Sequence, residues 1–142
     1  MKSAASGDLK FDKVSFAWPN GVKVIDKCSF LIEKPGLWML VGANGSGKST
    51  LFRLLTGVLR PNSGKIFCSL KPSLVYQNPD HQLLMPTCKS ELMLCVPQTI
   101  PQSKLFDLIQ SALETVDLGE MLDRPIHTLS GGQKQRLALA GA

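Results

Sequence analysis

Short apolar and polar stretches alternate over the first forty residues in the way that is typical of β-strands. Five strands are predicted there: Leu9–Phe11, Val14–Phe16, Val22–Ile25, Phe30–Ile32 and Leu37–Val41. Turn residues separate several of them, with Pro-Asn-Gly at 19–21 and Lys-Pro-Gly at 34–36. The pattern therefore predicts a small β portion in this part of the chain.

The spacing of apolar residues then changes to three and four, which is the spacing of an α-helix. Helices are predicted at Lys48–Thr56, Lys89–Cys95 and Ser103–Val116, and two more strands at Lys65–Cys68 and Leu74–Tyr76. A loop rich in proline runs from Gln77 to Pro86. Strands followed by helices predict an α/β chain.

The composition excludes several classes of protein. The chain has 142 residues, 44% of them hydrophobic, which is one ordinary domain or less. Its longest apolar runs, Leu37–Val41 and Leu92–Val96, are too short to span a bilayer, and residues 1–10 lack the apolar core of a secretory signal. The four cysteines, at 28, 68, 88 and 95, form no C-x-x-C pair, so we expect reduced and mostly buried thiols rather than disulfides or a zinc site.

Charge is distributed unevenly along the chain. The formal net charge is +5 overall, +7 for residues 1–79 and −2 for residues 80–142, and no acidic residue lies between Glu33 and Asp80. An anion bound in that stretch would meet lysine and arginine side chains without a competing carboxylate. A solvated basic face is the alternative interpretation. Aromatic and basic residues do not interleave as they do in single-strand nucleic-acid platforms, so no nucleic-acid partner is predicted.

The first motif that carries chemistry is Gly42-Ala43-Asn44-Gly45-Ser46-Gly47-Lys48-Ser49, which fits G-x-x-x-x-G-K-[ST] between an apolar run and a predicted helix. Glycines let successive backbone N–H groups turn toward the α- and β-phosphates, and the N-terminus of the following helix adds to the attraction. Lys48 would reach the β- and γ-phosphates, and the Ser49 hydroxyl would bind Mg²⁺. We call residues 42–49 the phosphate loop.

The second motif is Leu129-Ser130-Gly131-Gly132-Gln133, here called the signature motif. Ser130 is predicted to cap a helix, and Gln133 completes an S-x-x-Q capping box. Two adjacent glycines weaken a helix start unless something approaches the backbone closely, so an anion is favoured over an ordinary capped helix.

A phosphate loop followed by Leu-Ser-Gly-Gly-Gln resembles the ATP-binding subunit of ABC transporters, and the resemblance covers nearly the whole chain. The sequence Gln77 to Gln82, followed by Met85-Pro86-Thr87, is similar to the ATPases of the energy-coupling-factor and cobalt-uptake type. The resemblance implies ATP and Mg²⁺ as cofactors, a second ATPase subunit bound head to tail, and an integral membrane transporter subunit that residues 86–96 would face.

The resemblance also implies site residues. Lys48 and Gln77 would be catalytic, Ser49 and Gln77 would hold Mg²⁺, and Trp18 would stack on adenine, although Trp18 is also interpretable as a packing aromatic. The residues implied to contact ATP are Trp18, Gly42, Asn44, Gly45, Ser46, Gly47, Lys48, Ser49, Thr50, Ser130, Gly131, Gly132 and Gln133. His81 and His127 are interpreted as solvated loop or cap residues.

The chain departs from the family pattern in two places. Lys48 and Gln77 are only 29 positions apart, which is shorter than we expect. A Walker B aspartate, a catalytic glutamate and a switch histidine are expected after the signature motif but do not occur by residue 142. Phe30–Glu33, the nearest apolar run that ends in an acid, precedes the phosphate loop and is interpreted as a strand end. Residues 1–142 alone are therefore not expected to hydrolyse ATP.

The predicted fold is an α/β P-loop NTPase of the ABC ATPase type that is incomplete at its C-terminus. It is predicted as one incomplete domain, with a β portion at 1–41, the phosphate loop, helix and following strands at 42–76, and a helical subdomain at 77–142. The implied function is ATP-driven transport of a small solute or metal ion, from the cytoplasmic face of a membrane or from an organelle interior such as a plastid. A truncated form that binds nucleotide or a partner without turnover is the alternative; a GTPase or kinase is disfavoured because no N-K-x-D motif is present.

Overall fold

The computed structural model describes residues 9–142, and its contacts divide the chain into a first unit that ends at Leu74 and a second unit from Val75 to Ala142. In the first unit a three-stranded antiparallel sheet has the order β2-β1-β3. Its elements are β1 (Leu9–Ala17), β2 (Lys23–Ile32), α1 (Lys48–Leu55) and β3 (Ser63–Cys68). Helix α1 and strand β3 confirm the elements predicted at these positions.

Each of the first two strands joins two segments that the sequence pattern separates. Polar residues interrupt the alternation at Asp12-Lys13 and Asp26-Lys27, and the structure keeps both pairs within β1 and β2. Lys13 and Lys27 adopt φ values of 50° and 47°, and the register shifts beside both residues. The interruptions are therefore bulges within long strands, where one residue leaves the ladder.

The core of the first unit lies between the sheet and α1. Phe11, Val14, Phe16 and Ile25 from the strands are buried with Leu51 and Leu54 from the helix. The rings of Phe11 and Phe30 are stacked with centroids 4.6 Å apart. This packing fixes the start of α1, and with it the phosphate loop, against the sheet.

The strand predicted at Leu37–Val41 is wrong for the described residues, as is the strand predicted at Leu74–Tyr76. Neither segment has strand structure, and the side chains of 37–41 are between 43% and 94% exposed. A continuous apolar run is typical of a strand buried on both faces. Such a strand forms only beside a hydrogen-bonding neighbour, and no strand among residues 9–142 pairs with it. The sheet among the described residues therefore consists of β2, β1 and β3 alone, and both of its strand pairs are antiparallel.

The second unit is helical. It contains α2 (Cys88–Cys95), α3 (Gln102–Thr115) and α4 (Gly131–Ala140), with 3₁₀ turns at Pro79–His81, Gly119–Met121 and Ile126–Thr128. Its core buries residues from all three helices and the loop before α4, and includes Cys88, Ile109, Leu113, Leu118 and Leu137. The predicted helices are confirmed to within one residue at most ends. No helix in the described part of the chain is long and apolar enough to cross a membrane.

The four cysteines are free thiols, as predicted, but they are not mostly buried. Cys88 is fully buried, Cys28 is half-buried, and Cys68 and Cys95 are exposed. Burial raises the pKa of the Cys88 thiol, and partial desolvation of the sulfur together with the nearby Glu91 carboxylate raises that of Cys95. Both therefore stay protonated, and neither has the reactive thiolate that a nucleophile needs.

Candidate functional site

The phosphate loop leads directly into α1 in the first unit. Gly47 is the residue before the helix and has φ 89°, and Gly45 has φ 79°. This left-handed conformation is accessible to glycine at little cost. No side chain caps the start of α1, and its first turn contains no acidic residue. The N–H groups of that turn are therefore available to an anion.

Space as well as backbone angle requires glycine at position 47. A Cβ atom there would lie 3.0 Å from the Ile25 Cδ1 and Val24 Cγ1 atoms and 3.3 Å from the Val24 carbonyl oxygen. The end of the phosphate loop thus lies directly against β2. At Gly42 a Cβ atom would lie 2.9 Å from the Ser46 hydroxyl oxygen, so the loop is also tight across its own turn.

The Lys48 ammonium lies inside the curve of the phosphate loop. Its Nζ donates hydrogen bonds to the carbonyl oxygens of Gly42 and Ala43, each at 2.7 Å. Two of the three donors of the ammonium hold the loop in a closed turn, which leaves the third for a phosphate oxygen. Helix start and ammonium together give a region of positive potential that suits the charge of a phosphate chain.

Trp18 directly follows β1, near the part of β2 that Gly47 contacts. Its ring meets the Phe16 ring edge-on, with centroids 5.0 Å apart at 83°, and Phe16 pairs with Ile25, the residue against which Gly47 packs. Trp18 is half-buried, so part of its ring remains accessible. Trp18 is therefore linked to the end of the phosphate loop through Phe16 and Ile25.

The other predicted residues of the loop differ in exposure. The side chains of Asn44, Ser46 and Ser49 are exposed, whereas Thr50 is buried with the core face of α1. Ser49 occupies the second position of the helix, where its hydroxyl is open to solvent. Because the Thr50 side chain is buried, this residue could contact ATP only through its backbone N–H.

The signature motif starts α4 in the second unit and has the predicted capping box. The Ser130 N–H donates to the Gln133 Oε1 at 2.8 Å, and the Gln133 N–H donates to the Ser130 Oγ at 3.3 Å. No atom would lie within 4 Å of a Cβ at Gly131 or Gly132. The two glycines therefore face open space, and packing within the second unit does not explain them.

Gln77 also belongs to the second unit and is exposed. Hydrogen bonds fix the backbone on both sides of it. The Tyr76 N–H donates to the Gln82 Oε1 at 3.1 Å, and the Asn78 Oδ1 accepts from the Asp80 N–H at 3.0 Å. His81 and His127 are exposed and lie in 3₁₀ turns. Among residues 9–142, no three His, Cys, Asp or Glu side chains are grouped closely enough to hold a metal ion.

Two polar contacts in this unit escaped the sequence analysis. The Lys134 Nζ and the Asp80 Oδ1 form an ion pair at 2.7 Å, and the buried Glu91 side chain accepts from the N–H groups of Leu84 and Met85, both at 2.8 Å on the same oxygen. Asp80 and Lys134 are 54 positions apart, so no local spacing links them. The only local feature of Glu91 is that it is an acidic residue in the first turn of α2, which does not identify its partners.

Comparison with known proteins gives a consistent result. A family model described as ABC transporter matches residues 25–142. The chain is 44% identical over 123 residues to ABC transporter I family member 10 of Arabidopsis thaliana, covering 85% of this chain and 45% of that protein. It is 34% identical over 142 residues to the energy-coupling factor transporter ATP-binding protein EcfA of Methanocaldococcus jannaschii, covering 89% of this chain and 51% of that protein.

A solved structure is similar as well. The cbiO1 protein of Clostridium perfringens, described as part of the ABC transporter complex cbiONQ, superposes with a TM-score of 0.82 at 28% identity. The superposition covers 96% of this chain and 61% of that one. The chain thus spans about half the length of these curated relatives and somewhat more of the solved structure.

Proposed function

Because the chain belongs to the ABC transporter family of ATP-binding proteins, we propose that it binds MgATP at the phosphate loop and forms part of an ATPase that drives transport. The observation that carries this proposal is the Lys48 ammonium, which lies inside the loop at the uncapped start of α1. A triphosphate offers its oxygens to the backbone N–H groups of that turn and to the third donor of Lys48.

We propose the following division of work among the residues. Trp18 stacks on the base, the exposed Ser49 hydroxyl binds Mg²⁺, and Gln77 contacts the metal or the attacking water. The metal would neutralise charge on the β- and γ-phosphates, which is its general role in phosphoryl transfer. Gln77 belongs to the other unit, so its part in the site is supported by the family pattern and by its exposure.

The signature motif is proposed to serve a nucleotide bound to another subunit. Its serine hydroxyl and the backbone of Gly131 and Gly132 face open space, which leaves them accessible to a phosphate that arrives from outside the chain. One chain would then supply the phosphate loop for one nucleotide and the signature motif for the other. The second subunit is either a copy of this chain or a homologue.

The transporter context is proposed from the relatives. The names of the similar proteins place them in energy-coupling factor transport and in the complex cbiONQ. By analogy, the chain would attach to a membrane subunit at the cytoplasmic face, and the cargo would be a small solute or metal ion. Nothing in the comparisons supports the organelle interior that the sequence analysis also considered.

Calorimetric titration of the chain with MgATP tests the proposal. Lys48→Ala removes a charge-assisted contact worth about 1.5–3 kcal/mol, so affinity is expected to fall about tenfold or more. Lys65→Ala is the matched control, because it removes an equal charge from β3, in the same unit but outside the loop. Equal affinity of the wild type and Lys48→Ala, or equal losses in the two variants, would contradict the proposed site.

A further inference from the structure

The Asp80–Lys134 ion pair joins the signature helix to the turn that follows Gln77. The Lys134 Nζ lies 2.7 Å from the Asp80 Oδ1, and the Lys134 side chain is 19% exposed while that of Asp80 is 59% exposed. Both residues belong to the second unit, so the contact is internal to one packed body. The Lys134 side chain is thus largely covered by protein, and its ammonium is paired with the Asp80 carboxylate.

The helix start that Lys134 anchors has few side-chain polar contacts, although Leu129, just before it, is buried in the core of the second unit. The Lys134 N–H donates to the Ser130 carbonyl oxygen at 2.9 Å, which is the first hydrogen bond of the α4 backbone. The two glycines between them contribute no side-chain packing. Beyond the capping box, the first turn is held by the Gln133 Nε2, which lies 3.6 Å from the Met121 sulfur, and by the ion pair. Because glycine leaves the backbone of this turn free to vary, the polar contacts help to fix its orientation.

The other end of the ion pair reaches the backbone beside Gln77. Asp80 lies in the Pro79–His81 turn, whose start is capped by the Asn78 side chain through the Asp80 N–H. Pro79 is buried, so the turn itself is fixed. The contacts therefore run without interruption from the signature helix through Lys134 and Asp80 to Asn78, the residue after Gln77.

We propose that Asp80 and Lys134 are a positioning pair that holds the signature motif in the orientation needed to bind the nucleotide of a second subunit. This inference rests on the proposed function, since it takes the signature motif to act in trans. The pair touches neither nucleotide nor metal; it acts by fixing the first turn of α4 relative to the turn after Gln77. ATP binding at the phosphate loop of the same chain does not depend on it.

The test compares Asp80→Asn, Lys134→Met and the charge-swapped double variant Asp80→Lys with Lys134→Asp. The control is Asp26→Asn, which breaks the Lys23–Asp26 ion pair, also 2.7 Å long, in the first unit. Calorimetry measures MgATP binding to the monomer, and sedimentation velocity measures association in MgATP. Hydrogen exchange measures protection of the Gln133 and Lys134 amides without nucleotide.

The expected result separates binding from association. Each single variant keeps the ATP affinity of the monomer within twofold. Partly exposed ion pairs correspond to roughly two- to fivefold per pair, so a symmetric dimer with two pairs should associate about four- to twenty-five-fold more weakly. Exchange of the two amides should be about two- to fivefold faster. The swapped variant should recover both, and Asp26→Asn should change neither.

The positioning role is overturned if amide protection is unchanged in Asp80→Asn and Lys134→Met. It is also overturned if the swapped variant recovers neither protection nor association relative to the single variants. If the wild type binds ATP but does not associate, the trans role within the proposed function is wrong, and hydrogen exchange alone then decides whether the pair holds the turn. If the wild type does not bind ATP, the proposed function fails first. The two failures are therefore distinguishable.

Discussion

Replacing Gly47 with alanine tests whether the phosphate loop is fixed by its contact with β2. The φ of 89° costs a non-glycine residue about 1–2 kcal/mol. The added methyl group would also lie 3.0 Å from two side-chain carbons of Val24 and Ile25 and 3.3 Å from the Val24 carbonyl oxygen. Overpacking of this kind costs about 1–3 kcal/mol, so the free energy of unfolding should fall by about 2–5 kcal/mol.

Gly45→Ala is the matched control for backbone strain. Its φ of 79° is nearly the same, but no atom would lie within 4 Å of its Cβ. It should therefore lose only the strain contribution of about 1–2 kcal/mol. The difference between the two variants isolates the contact with β2 and should be about 1–3 kcal/mol.

Tryptophan fluorescence during urea unfolding is a suitable assay, because both tryptophans, Trp18 and Trp38, belong to the first unit. The linear dependence of the free energy on urea gives the stability of that unit from each curve. Equal free energies of unfolding for Gly45→Ala and Gly47→Ala would refute the reasoning. Equality would mean that the loop moves away from β2 at no cost and that the contact does not fix it.

Three further predictions concern the second unit. Glu91→Ala leaves the N–H groups of Leu84 and Met85 without their acceptor and should lower the free energy of unfolding by about 1.5–3 kcal/mol, measured by circular dichroism in urea. Glu91→Gln should lose much less stability, because one oxygen accepts both bonds. Equal losses in the two variants would contradict this. Ser130→Arg should abolish ATP-dependent association in sedimentation velocity yet leave calorimetric ATP binding intact, and loss of monomer binding would contradict the trans role. Iodoacetamide labelling followed by mass spectrometry should modify exposed Cys68 well before Cys88, whose burial shields the thiol and raises its pKa, and faster reaction of Cys88 would show that its core opens.

The elements that the sequence predicts well are those decided by local chemistry. Ser130 and Gln133 are three positions apart and form the capping box that their types predict. The phosphate loop is equally local, since the glycine conformations and the start of the following helix lie within eight residues. Helix α3 follows from the repeat of its apolar positions, although Leu108 on the predicted face is 45% exposed.

The predictions that were wrong or missed concern features that depend on residues distant in sequence, which a local pattern does not reveal. Leu37–Val41 has the composition of a buried strand, but a strand is completed by hydrogen bonds to another strand, and residues 9–142 provide none. The bulges at Lys13 and Lys27 look like strand ends because one polar pair in a ladder resembles a turn. The Asp80–Lys134 and Glu91 contacts depend on tertiary packing in the same way.

In the proposed function both motifs bind an anion at a helix start, but the two helix starts differ in their free donors. In α1 no side chain caps the first turn, so its N–H groups remain for phosphate, and Lys48 supplies the charge from inside the loop. In α4 the Ser130 Oγ accepts from the Gln133 N–H, so the capping box satisfies two donors and leaves the Ser130 hydroxyl proton and the N–H groups of both glycines. The ammonium of Lys134 near that start is paired with Asp80. An uncharged, open set of donors suits brief contact with a phosphate already bound elsewhere, whereas the phosphate loop is built to hold one.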